Sequence, residues 1–242
     1  MSSIAPGPSP SATPGPYLPQ AVHVLRSPEG LAKALTALLS AVGGLSLVLS
    51  GADLYRSGLQ DDLVSGSSTE TSERLGGLDS LSIPLGFLHG VLYLATAVVF
   101  VLWFHRVRCN GQVFRPDGFS QSAGWAIGGW FVPFANLFFP YRTARETWNA
   151  STQYAPDGTY RQVSGAPVVA WWLAFVVSMV LDRVASRQYL AALTHEALSD
   201  GAAFMAAAEL TTAAAAVLAV LFVRKLTAMQ RVKAVQGPNA AA

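Results

Sequence analysis

Four blocks of about twenty residues decide what this chain can fold into. Three are largely apolar throughout, and the block at 168–187 is uninterruptedly apolar only to Leu181 and carries Asp182, Arg183 and Arg187 towards its far end. A helix rising ~1.5 Å per residue needs that length to cross a hydrocarbon core of roughly 30 Å. The blocks run over about 31–50, 81–104, 168–187 and 202–223. Only 12% of the 242 residues are charged and 52% are hydrophobic, against about a quarter charged in soluble domains. The expected fold is an all-α integral membrane protein with four transmembrane helices.

The segments outside the blocks are read from their composition. Residues 1–26 carry Pro6, Pro8, Pro10, Pro14, Pro16 and Pro19, and are expected to form a disordered Pro-rich tail. They lack the basic start and apolar core of a secretory signal. A four-helix transmembrane domain follows over 27–233, with a second disordered tail over 234–242. Ser27 and Pro28 suit the cap and first position of the first helix, and Pro84 the first turn of the second. Residues 51–80 are polar, acidic and Gly/Ser/Thr-rich, and read as a loop. Asn110–Ser122 reads as a linker with a turn at Arg115-Pro116-Asp117-Gly118. The single cysteine, Cys109, excludes a disulfide framework or a CxxC site, and reads as a loop thiol.

Between the second and third blocks lies GWAIGGWFVPFANLFFPYRTARETWNAST, residues 124–152. Gly128, Gly129, Pro133 and Pro140 make it a poor independent crossing, and the distribution of basic residues agrees. With four crossings and the N-terminus inside, only Arg56, Arg74, Arg183 and Arg187 of the 16 Lys and Arg fall outside. If the central stretch also crossed, most of them would fall outside. All six tryptophans also lie near the inner face, where indoles favour the headgroup region. The stretch is therefore expected to be re-entrant or interfacial over 124–151, with a surface helix from about Pro140 to Ala150. Tyr141, Ala144 and Trp148 would face lipid or protein, and Arg142, Arg145 and Glu146 water and headgroups. Asn136 would cap the turn before that helix. The expected location is the cytoplasmic membrane, multi-pass, with both termini cytoplasmic.

Trp130-Phe131-Val132-Pro133-Phe134-Ala135-Asn136, then Pro140-Tyr141 and Arg145-Glu146-Thr147-Trp148-Asn149-Ala150-Ser151, resembles the signature of an uncharacterised actinobacterial membrane-protein family, domain of unknown function 4328. The resemblance covers roughly residues 30–230 in layout and is specific over 130–151. It implies the four-crossing architecture and no particular activity.

Two groups of residues could carry function. In the outer half, Glu209 lies roughly 10 Å and His89 about 12 Å into their crossings at ~1.5 Å per residue. Asp182 and Arg183 approach the same level and could form an ion pair there. These four would make either a proton- or cation-handling pocket or a hydrogen-bonded clasp. At the inner face, Trp130, Phe131, Pro133, Asn136, Pro140, Arg142, Arg145, Glu146 and Trp148 form a candidate interaction motif. With Arg106, Arg108 and Arg161 it would make a basic rim suited to anionic lipid headgroups or an acidic partner.

Catalytic, phosphate-binding and metal signatures are absent, with the four histidines in separate segments and His195-Glu196 reading as solvated surface. No cofactor and no metal are expected, and a net charge of +2 gives no case for nucleic acid. The bilayer, and an unidentified protein, are the expected partners. The function expected is a non-enzymatic scaffold or accessory protein. The alternative is a small ion- or proton-coupled transporter or channel component using the outer polar cluster.

Overall fold

The computed structural model describes residues 24–66, 69–155, 159 and 161–236. Most of the expected N-terminal tail, and residues 237–242 of the C-terminal one, lie outside the described residues. Among those described, the regular structure is helical, joined by turns and by a longer connection between Ser151 and Gly165 whose described residues are non-helical, with a single β-bridge residue, Tyr154. The helices are α1 (Glu29–Val64), α2 (Thr69–Phe114), a single-turn α3 (Trp125–Gly128), α4 (Phe139–Ala150), α5 (Ala166–Ala191) and α6 (His195–Gln236). The last of these runs three residues into the expected C-terminal tail. Four of them, α1, α2, α5 and α6, are long and apolar enough to cross a membrane. The aromatic, Pro-containing segment sits between the second and third. Both described chain ends and this segment share one end of the bundle, the terminal side; the α1–α2 and α5–α6 turns mark the hairpin side.

Three helices are much longer than their apolar blocks. At ~1.5 Å per residue α1, α2 and α6 reach roughly 54–69 Å, about twice the hydrocarbon thickness. The expected loop over 51–80 is instead helical almost throughout, breaking at Gly66, whose φ of 92° suits glycine. Tertiary contacts override the weak local propensity. Arg56 is buried among Asp53 and Asp79, each at 3.2 Å, and the Ser82 hydroxyl. Farther along, Ser57 meets the Ser199 hydroxyl at 2.9 Å, and the His195 ring meets Gln60 at 2.6 Å. His195 therefore ties α6 to α1 rather than simply facing solvent.

Other boundaries shift for similar reasons. Pro84 falls well inside α2, where it removes the hydrogen bond to the Ser80 carbonyl; Ser80 is exposed, so water can serve that carbonyl. Cys109 lies on α2, its Sγ 3.6 Å from His105, not in a loop. Pro28 is the N-cap of α1, and Ser27 Oγ accepts a long 3.4 Å bond from the Glu29 amide. The expected turn at 115–118 is a 3-10 turn, Pro116–Gly118.

The bundle closes in the order α2, α1, α6, α5. α1 and α6 lie closest, because small residues line their seam: a Cβ on Gly43 would sit 3.3 Å from the Ala216 Cβ, and Ser50 donates to the Ala206 carbonyl at 2.9 Å. Toward the terminal side the core becomes aromatic. Trp171 stacks on Phe222 at 4.5 Å and on Phe100 at 5.6 Å, and Trp103 meets Phe222 edge-on at 5.7 Å. The tryptophans do gather at this end, yet Trp103, Trp148, Trp171 and Trp172 are buried in protein rather than spread along a lipid interface. Trp103 finds its partner inside, donating to Thr227 at 3.2 Å.

Candidate functional site

The central segment has two halves with different environments. Trp130 is a wedge between α2 and α5. Its ring meets Phe100, Phe104, Phe175 and Trp172 at 5.5–6.1 Å, all nearly edge to face. Past the wedge the chain turns outward. Phe134 has φ 62° and ψ −40°, and the Ala135 amide donates to the Pro133 carbonyl at 2.7 Å. This is a γ-turn with positive φ, a rare and strained conformation for a residue with a side chain. The strain holds the ring out of the protein: Phe134 is 84% exposed, with Phe131 at 74% and Phe138 at 68%. Together with Val132 and Leu137 they make an apolar ridge.

Asn136 does not cap the following helix. Its side chain makes no hydrogen bond among the described residues, and its amide donates to Val132. α4 begins at Phe139 with Pro140 in its first turn, where a missing N–H costs nothing. Its inner face, with Ala144 and Trp148, is buried, while Arg142 and Arg145 are exposed. Arg142 pairs with Glu146 at 3.3 Å, and Glu146 also accepts from the Ser120 hydroxyl. Arg145 lies beside the Tyr141 ring at 5.9 Å.

At the other end of α4 from the ridge a buried polar network fixes the segment in place. Gln230 on α6 donates to the Val107 carbonyl at 2.8 Å and to Ser151 Oγ at 3.1 Å, and accepts from Asn110 at 3.1 Å. Asn110 in turn bonds the backbone of Arg26 in both directions, at 2.8 and 3.0 Å. One amide pair thus joins the entry to α1, α2, the end of α4 and α6. Lys233, fully buried, donates to the Thr152 carbonyl at 2.6 Å and rests 3.6 Å over the Tyr154 ring. Arg108 is not part of any basic rim: it is buried, donating to the Gln121 carbonyl at 2.6 Å and lying 3.5 Å over Phe119. Phe119 comes that close because position 111 is glycine; a Cβ there would sit 2.8 Å from its ring.

Sequence reasoning missed this network, counting Arg108 and Lys233 simply as positive charge. The signal was present on α6, where Phe222, Leu226, Gln230 and Lys233 recur at helical spacing and extend the buried stripe past the apolar block.

Strain at Phe134 makes a prediction. Phe134→Gly relieves a conformation costing on the order of 1–3 kcal/mol, against roughly 0.5–1 kcal/mol for glycine's greater unfolded-state freedom. The detergent-solubilised variant is expected to be as stable as the parent or about 1 kcal/mol more stable. A clearly lower unfolding midpoint would mean that the ring contributes to the fold despite its exposure.

On the hairpin half, two of the four ionisable candidates meet. His89 Nδ1 lies 3.7 Å from Glu209 Oε1, and the other ring nitrogen is 3.3 Å from Ser46 Oγ. Three helices, α1, α2 and α6, share that contact. Glu209 is only 8% exposed and its Oε2 has no hydrogen-bond partner among the described residues. Asp182 and Arg183 on α5 are both exposed and form no ion pair with each other; Asp182 lies within electrostatic range of Glu209 and Tyr93. No group of three or more His, Cys, Asp or Glu suited to a metal occurs among the described residues.

The family model described as domain of unknown function (DUF4328) matches residues 67–228, well over half of the chain. The chain belongs to this family. Searches of curated proteins and of solved structures gave no match. The DUF4328 region holds α2 to most of α6, including the wedge, the γ-turn, α4 and the His89–Glu209 pair; α1 precedes it. It is thus shorter at the N-terminal end than the span of 30–230 suggested by layout. Within it lie the two halves of the bundle and the segment that bridges them.

Proposed function

We propose that this DUF4328 protein is a non-enzymatic accessory or scaffold protein of the cytoplasmic membrane, with both termini cytoplasmic and the Phe131–Phe138 ridge as its docking surface. The observation that carries this reading is a strained, outward-held aromatic turn on an immobilised base. Strained backbone of this kind persists where the surroundings over-determine it. Contiguous exposed apolar surface marks interaction sites. Arg142 and Arg145 beside the ridge would favour anionic headgroups around the docked partner.

A transporter or channel role is the second reading, favoured by Glu209, whose buried Oε2 next to His89 lacks a partner among the described residues. Against it, the carboxylate is shut away rather than open to a water-filled path.

A photoreactive phenylalanine analogue at Phe134 tests the docking reading in native membranes. It should give a discrete protein adduct that the same analogue at lipid-facing Val98 does not. Lipid adducts alone at both positions would overturn it.

A further inference from the structure

α2 and α5 complete the ring of four long helices, yet scarcely approach one another. On the terminal side the gap is plugged by Trp130 and by the Phe100–Trp171 stack. Beyond the plug lies a cavity of about 230 Å³, lined by Val42, Ala97, Val101, Phe131, Phe175 and Ala215 among others. Four hydroxyl side chains also line it, and three of them, on Thr96, Ser178 and Thr212, are spent on their own helices. Thr96 donates to Leu92 at 2.7 Å, Ser178 to Phe175 at 2.9 Å and Thr212 to Ala208 at 3.2 Å. What they offer the cavity is carbon.

A space with such walls does not hold water, which needs two to four polar partners. It also lies within the apolar blocks, level with exposed Leu94 and Val98 on α2 and Val177 on α5. Its surroundings are therefore hydrocarbon, and its open side faces the bilayer. A peptide helix or a second copy of the chain is too thick for it, and a polar solute would meet walls that are almost wholly carbon.

We propose that this cavity binds one acyl chain of a membrane lipid. The chain enters sideways between α2 and α5. Trp130, Phe131 and Trp171 form the floor on which it ends. The cavity shares Phe131 with the docking ridge, but Phe134, the position probed for docking, takes no part in it.

The full chain is reconstituted into phosphatidylcholine vesicles, with plain or mid-chain brominated acyl chains, and its tryptophan emission compared. Bromine quenches an indole on contact, and Trp171, only 2% exposed, borders the cavity. Brominated lipid is expected to quench the wild type more than Ala97→Phe or Ser178→Phe, which fill the space from opposite walls. The difference should approach the share of Trp130 and Trp171 among the six tryptophans. Equal quenching of the wild type and a folded, filled variant would overturn the proposal. A second measurement needs no variant. Native mass spectrometry of the detergent-extracted wild type should show one retained phospholipid per chain; a chain released bare under the mildest conditions that remove detergent would equally overturn it.

Discussion

Trp130→Ala is expected to destabilise the detergent-solubilised protein by about 3 kcal/mol, within the range for deleting a large aromatic side chain from a packed site. For a chain of this size that is roughly a 10 °C fall in the unfolding midpoint. The reason is positional. Four rings from α2 and α5 converge on this one indole, and those two helices have little else between them. Trp130→Phe should cost far less, under about 1.5 kcal/mol, because the indole N–H has no hydrogen-bond partner among the described residues to lose. Were phenylalanine as damaging as alanine, an unseen bond to that N–H would have to exist. Thermal unfolding of the three proteins side by side decides it.

Gln230→Leu comes next in size. The substitution keeps roughly the side-chain volume but withdraws both donors and the acceptor. It leaves Ser151 short of a donor and removes one of the Asn110 contacts. Each buried group left unsatisfied costs about 1–3 kcal/mol, so the total should be about 2–4 kcal/mol. The damage should also be local. Hydrogen exchange is expected to accelerate in α4, whose C-terminal end Gln230 secures through Ser151, while the α1 seam around Gly43 stays protected. Equal acceleration at both places would mean that the network is not what fastens the central segment.

The crossings could be read from composition because hydrocarbon imposes a length and a polarity that few other environments do. The start of α4 was legible for an equally simple reason: a proline at 140 followed by an amphipathic run leaves few alternatives. What stayed hidden depended on partners distant in the chain. Residues 51–80 look like loop until Arg56 is seen to meet Asp79, and nothing nearby in sequence foretells that pairing. The tryptophans share one end of the bundle, yet Trp103, Trp171 and Trp172 are buried in protein rather than set at a headgroup interface, since sequence gives depth along a helix but not which face meets protein. His89 and Glu209 could be matched by depth, whereas Asp182 and Arg183, at a similar depth, turn outward. The γ-turn at Phe134 was beyond reach, because no local preference leads to a positive φ at phenylalanine.

The long continuation of α1 gives the molecule height. From Ser50 to Val64 the helix climbs about 20 Å at ~1.5 Å per residue, and α2 descends beside it as a paired strut. A bulky fluorophore near Gly66 would therefore tumble clear of the headgroups. Any neighbour lying flat on that leaflet would collide with a post, so whatever approaches from that side has to stand off or carry a matching recess.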